Sequence, residues 1–186
     1  MDAGWGGLTV FSALARTLPF AGKEESSMQS AAKVTAAALA DAFETYLAAY
    51  GANSTNFLAY APGGGVENMG LSQAINDMLI QSSNGTIHLF PAWPRAEPAE
   101  FTTLRTKGAF LVSAKWDHVH AAATDVAITA TVLSPKVSLA SPFGAAAKTA
   151  KMQCSSGGRT VAVDARGVLE WSMKAGEVCA ITPIVM

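Results

Sequence analysis

Between Ser26 and Tyr50 the apolar residues Val34, Leu39, Phe43, Tyr46, Leu47 and Tyr50 recur at intervals of three, four and five in an Ala-rich background. That period, in residues of high helix propensity, predicts an amphipathic helix. Gly51 follows the last apolar position and predicts its stop, since a left-handed cap favours a residue without a Cβ. A second helix is predicted over Met69–Ser82, where Leu71, Ile75, Met78 and Leu79 form a stripe and Asn84-Gly85 end it. A third runs from Leu8 to Leu18 and stops at Pro19. Pro62-Gly63-Gly64-Gly65 between the later two reads as a loop.

After Gly85 the pattern changes. Pro91, Pro94 and Pro98 fall close together and disfavour both helix and central strand, so residues 91–100 are read as an extended connector. Beyond it come short β-prone runs: 109–116, 126–133, 137–140, 149–154, 160–163, 168–173 and 178–185. Ser155-Ser156-Gly157-Gly158 and Ala175-Gly176 mark turns between them. This spacing predicts a small antiparallel β-sandwich with no helix. The fold class is therefore α+β by segregation, with helices in 1–90 and the sandwich in 101–186. Three helices with wide apolar faces leave hydrophobic surface bare unless something covers it, which predicts that the helical part is cut from a larger bundle.

Composition narrows the classes. The chain has 186 residues, half of them hydrophobic and 15% charged, enough to bury a core in a domain or two but too few for a large multidomain enzyme. The formal charge is −1, and no basic cluster stands out, so a nucleic-acid partner is not indicated. Charge is unevenly divided: four basic residues against eight acidic in 1–99, nine against six in 100–186. No apolar run reaches the roughly 20 residues that span a bilayer, because Lys33, Asp41 and Glu44 break the Ala-rich stretch. Asp2 comes early and Arg16 late in the first 18 residues, the reverse of a signal peptide, so this segment is read as mature structure. Asn53-Ser54-Thr55 and Asn84-Gly85-Thr86 fit the N-glycosylation pattern and lean toward a secretory route.

Little chemistry assembles itself. Cys154 and Cys179 lack the paired spacing of a zinc site, and either two buried thiols on neighbouring strands or a disulfide fits them. His118 and His120 alternate and read as a polar strand end rather than a metal site, so no metal and no cofactor is expected. No nucleophile elbow or phosphate loop occurs. The informative stretch is Gly63–Gly70, in which Glu67 and Asn68 stand side by side where a glycine loop meets a helix. They suit either a cleft at the helix N-terminus or an ordinary helix cap.

A resemblance adds to this. The run Gly64-Gly65-Val66-Glu67-Asn68-Met69-Gly70, then Ile75-Asn76-Asp77-Met78-Leu79-Ile80-Gln81-Ser82, then Gly85–Pro94 resembles the end of the catalytic domain in glycoside hydrolase family 95, α-L-fucosidases and some α-galactosidases. The likeness continues through Leu104-Arg105, Gly108–Ala114, Ser141-Pro142-Phe143 and Ala175-Gly176-Glu177, covering about residues 60–186. It implies that 1–90 are terminal helices of an (α/α)6 barrel and 101–186 the C-terminal β domain of an inverting glycosidase. In such an enzyme an acid protonates the leaving oxygen while a base activates water across the bond. The family's Glu acid and its water-holding Asn pair lie upstream and have no counterpart in this chain, so the chain by itself is expected to be inactive. The family's Ile-Asp-Gly-Asn-Phe-Gly segment corresponds to Val66-Glu67-Asn68-Met69-Gly70, where Asn68 keeps its place and no Asp is present. Glu67 and Asn68 are the implied supporting catalytic residues. Trp93 and His88, on the connector, are the implied sugar-binding residues, with Trp93 between two prolines also suited to packing a domain junction. Implied partners are a fucosylated or galactosylated glycan and the remainder of the barrel. The alternative is a non-catalytic carbohydrate-binding or scaffold module.

Overall fold

The computed structural model of the chain describes residues 7–17, 35–51, 66–143 and 147–184. The described residues of Met1–Leu79 and Pro91–Pro94 form one compact unit, and those of Ile80–Phe90 and Arg95–Met186 a second. The class is α+β.

The first unit holds helices α1 (Gly7–Thr17), α2 (Ala36–Gly51) and α3 (Val66–Leu79). Thr35 caps α2: its hydroxyl oxygen accepts from Ala38 N at 3.1 Å, which satisfies a backbone donor that has no partner inside the helix. Residues 26–34 of the predicted helix, and the Pro62–Gly65 loop, lie outside the described residues. Phe11, Ala15, Leu39, Phe43, Tyr46, Ala74, Met78 and Ala92 make the core of this unit, with Trp93 packed against it. Phe11 meets Phe43 and Tyr46 edge to face, with centroids 5.3 and 5.8 Å away. Such pairs add about 0.5–1.5 kcal/mol each beyond the area they bury. Among the described residues of this unit Ile75 is the one large apolar side chain left exposed, so the broad bare face expected from the sequence is not found among them.

Helix α3 ends three residues earlier than the periodicity predicts. Ile80 and Gln81 leave it as strand β1 (Ile80–Gln81) and pair with Leu89 and His88 of β2 (His88–Leu89). The last helical turn is instead closed by Ala92 N, which donates to the Met78 carbonyl at 3.3 Å. Residues 80–90, read from sequence with the helices, thus fold in the second unit, while 91–94 fold with the helices.

In that second unit a six-stranded antiparallel sheet has the order β3-β4-β5-β10-β7-β8. Its strands are β3 (Ala99–Thr106), β4 (Phe110–Asp117), β5 (Ala122–Ala130), β7 (Thr149–Cys154), β8 (Gly157–Ala162) and β10 (Val178–Ile184). The remaining strands, β6 (Ser134–Ala140) and β9 (Val168–Met173), pair with each other, and Ile87 bridges in parallel to Leu139. The period-2 alternation sets which side chains go inward: Val112, Ala114 and Trp116 of β4 are buried, as are Ala150, Met152 and Cys154 of β7, and Leu169, Trp171 and Met173 of β9. Strand β3 was not predicted. Its pairing breaks between Phe101 and Leu104, where Thr103 adopts φ 56° and its N–H donates to Ser113 Oγ at 3.0 Å. This bulge breaks the alternation that would have marked the strand in the sequence.

Candidate functional site

Glu67 and Asn68 fall inside the first turn of α3 rather than before it. Trp93 is half-buried against the aromatic core of the helical unit. His88 lies in β2, half-buried, its backbone in register with Gln81. The helical unit thus carries Glu67, Asn68 and Trp93, and the sheet unit carries His88.

A buried polar group that sequence reasoning did not single out sits in the helical unit. Asp77 of α3 is 6% exposed and accepts hydrogen bonds from Ser12 Oγ and from Arg16 Nε, the latter at 3.0 Å. Ser12 and Arg16 stand on one face of α1, four residues apart, so one carboxylate holds both. The helical stripe of α3 gave the only signal, since Asp77 interrupts it beside Met78.

The two histidines of the β4–β5 hairpin are exposed. Asp117 organises this turn: its carboxylate accepts from the backbone N–H groups of Val119 and His120, at 2.9 and 3.2 Å, and lies 2.6 Å from His120 Nδ1. The His120 side chain, then its backbone N–H, holds the Asp117 carboxyl below its ordinary range. Neither histidine joins a cluster of three metal-ligand side chains among the described residues.

The most built polar cluster lies where the β7–β8 and β9–β10 turns meet. Cys154 and Cys179 are direct partners in the β7–β10 register and form a disulfide, with Cα atoms 4.0 Å apart. Of the two possibilities left by the sequence, buried thiols on neighbouring strands or a disulfide, the disulfide is the one formed. Glu177 is 5% exposed. Its carboxylate accepts from Ser156 Oγ, from Lys174 N at 2.8 Å and from Arg159 Nη2 at 2.7 Å. The Ser156 hydroxyl and the Lys174 N–H hold the Glu177 carboxyl below its ordinary range, and the Arg159 charge adds to them. Arg159 Nη1 also donates to the Ser172 carbonyl at 3.0 Å. The same Nη2 that pairs with Glu177 stands 3.4 Å from Cys154 Sγ and 3.9 Å from Cys179 Sγ.

Cys154, Glu177 and Cys179 are the one grouping of three metal-ligand side chains among the described residues, their ligand atoms within 4.8 Å of one another. As a disulfide the sulfurs offer no thiolate, and Arg159 occupies the carboxylate, so the arrangement seen is not a metal centre. The sequence marked both ends of this cluster, through the cysteines and the turns beside them, but gave no sign that Arg159 and Glu177 meet there. No protein-family model and no curated protein matches the sequence.

Proposed function

We propose that the chain is the C-terminal part of a glycoside hydrolase resembling the inverting α-L-fucosidases of family 95, which cleaves terminal α-fucosyl or related bonds. The observation that carries this is the order of three runs: the acid–Asn–Gly stretch around Glu67, Met78-Leu79-Ile80-Gln81-Ser82, and Leu89-Phe90-Pro91-Ala92-Trp93-Pro94. They fall where the helical unit hands over to strands, in keeping with the last helices of an (α/α)6 barrel followed by a small antiparallel sandwich. The strand order, with β6 and β9 paired apart from the six-stranded sheet, suits that sandwich.

In this reading the general acid and the water-holding residues come from upstream helices, and the chain alone does not hydrolyse glycosides. Glu67, at the start of α3, supports the base or a sugar hydroxyl with Asn68 beside it. Trp93 packs the helical unit, and His88 is the remaining candidate for sugar contact. The test is turnover of an aryl α-L-fucoside by a complete barrel that ends in this chain, with Glu67→Gln beside it.

A second reading, a non-catalytic carbohydrate-binding or scaffold module, is favoured by one observation. The sheet unit has its own buried core and its own disulfide, so it is built to hold together through its own contacts. Titration calorimetry of the chain with fucosylated oligosaccharides separates the two. Binding that survives Glu67→Gln and is lost on changing the sheet unit favours the module.

A further inference from the structure

We propose that Cys154–Cys179 is a thiol–disulfide exchange site, in which Arg159 carries the charge of the thiolate released when the bond opens. Apolar surroundings raise the energy of a thiolate and so favour the closed bond. Here a guanidinium nitrogen faces both sulfurs, at 3.4 and 3.9 Å. Whichever sulfur leaves, its charge forms within reach of a fixed cation. Arg159 is itself held at its other nitrogen by the Ser172 carbonyl, so it is oriented before the bond opens.

Access is one-sided. Cys179 is fully buried and Cys154 is 5% exposed. Cys154 closes β7, and the next four residues, Ser155, Ser156, Gly157 and Gly158, are small and exposed. Beyond them β8 is the edge strand of the sheet. Opening this hairpin end is the least costly way to bring a thiol to the Cys154 sulfur.

The exchange partner is a dithiol. One of its thiolates attacks Cys154 Sγ; a new S–S bond forms there, the Cys154–Cys179 bond breaks, and the electron pair leaves on Cys179 Sγ beside Arg159. The partner's second thiol, deprotonated, then displaces Cys154 from the mixed disulfide. Two electrons pass to the protein, the partner ends as a disulfide, and its two protons go to the protein sulfurs or to solvent.

Glu177 sets the poise. Its carboxylate shares Arg159 Nη2 at 2.7 Å, so in the oxidised chain the guanidinium is already neutralised. A new thiolate competes with that carboxylate. The two residues therefore act in opposite directions: Arg159 favours the reduced pair and Glu177 favours the disulfide.

The test equilibrates the full chain with mixtures of reduced and oxidised dithiothreitol and measures free thiols by alkylation and intact mass. Arg159→Gln is expected to shift the equilibrium about tenfold toward the disulfide, the size of one charge-assisted hydrogen bond and equal to about 30 mV. Glu177→Gln is expected to shift it toward the dithiol, and Arg159→Lys to stay within about threefold of the unaltered chain. An unchanged equilibrium in Arg159→Gln overturns the proposal. So do shifts of the same sign in the Arg159 and Glu177 variants, which is what mere loosening of the turns would give. Should the variants not fold, the reduced unaltered chain still decides. Its alkylation rate is expected to reach half its maximum below the ordinary thiol value of about 8.5, and a midpoint at or above it overturns the proposal.

Discussion

Arg16 Nε lies 3.0 Å from Asp77 Oδ2 and joins α1 to α3 across 61 residues of chain. The Asp77 side chain is 9% exposed and that of Arg16 53%, so the two ends of the pair are unequal. Water screens the arginine, while the carboxylate depends on its partners. Removing Asp77 strands Ser12 and Arg16 together, whereas removing Arg16 leaves the Ser12 bond in place. Asp77→Ala is therefore expected to lower the stability of the helical unit by about 1–3 kcal/mol, and Arg16→Gln by less than about 1 kcal/mol. Urea unfolding followed by circular dichroism at 222 nm measures both, and equal losses would remove the distinction.

The carboxyls of Asp117, Asp164, Glu170 and Glu177 are all held below their ordinary range, by His120, by the Val168 N–H, by Lys136 and by Ser156 respectively as the largest causes. A carboxyl whose folded value is depressed contributes stability above its unfolded value and loses it as pH falls through the folded one. The sheet unit is expected to lose stability progressively below about pH 4. Glu177→Gln should flatten that acid limb. Thermal unfolding across a pH series reads this out, and an acid limb unchanged in Glu177→Gln would show that the group does not contribute.

The disulfide closes a separation of 25 residues between Cys154 and Cys179. Chain-entropy arguments give about 3–4 kcal/mol for a loop of that size. Replacing both cysteines with Ser is expected to lower the melting temperature of the sheet unit by several degrees while leaving the 222 nm transition of the helices in place. A melting point equal to that of the oxidised chain would contradict this.

Gly85 and Gly108 both sit at positive φ, +84° and +85°, in the β1–β2 and β3–β4 turns. They differ in what surrounds them. A Cβ on Gly85 meets nothing within 4 Å, while one on Gly108 comes within 2.5 Å of the buried Phe110 ring. Gly85→Ala is expected to cost about 1 kcal/mol from backbone strain alone, and Gly108→Ala distinctly more. Comparing the two melting curves tests whether the Phe110 ring is fixed.

Much of the architecture was legible because it rests on periodicity. The stripe of Leu39, Phe43 and Tyr46 gave α2, and the alternation in Thr149–Cys154 and Val168–Met173 gave β7 and β9 at their observed limits. What was not legible depends on partners distant in sequence. Ile80 and Gln81 continue a helical pattern, and only their pairing with Leu89 and His88 makes them a strand. β3 hides behind its bulge at Thr103. The sheet site was half legible: the cysteines announced themselves, but the Arg159–Glu177 contact follows from the pairing of β7 with both β8 and β10, and no local signal sets the β7–β10 register. Glu67 and Asn68 stood out only through the glycine run before them and the resemblance that run carries.

The proposed function has this chain close a fucosidase-like barrel and bring Glu67 to it. The measurement is hydrolysis of 4-nitrophenyl α-L-fucopyranoside by a chimera in which this chain replaces the corresponding terminal segment of an active family 95 enzyme. Turnover by the chimera, a loss of about tenfold or more in kcat/KM with Glu67→Gln, and none by the chain alone are the predicted results. A chimera that is folded and monodisperse yet inert, or one indifferent to Glu67→Gln, contradicts the proposed function.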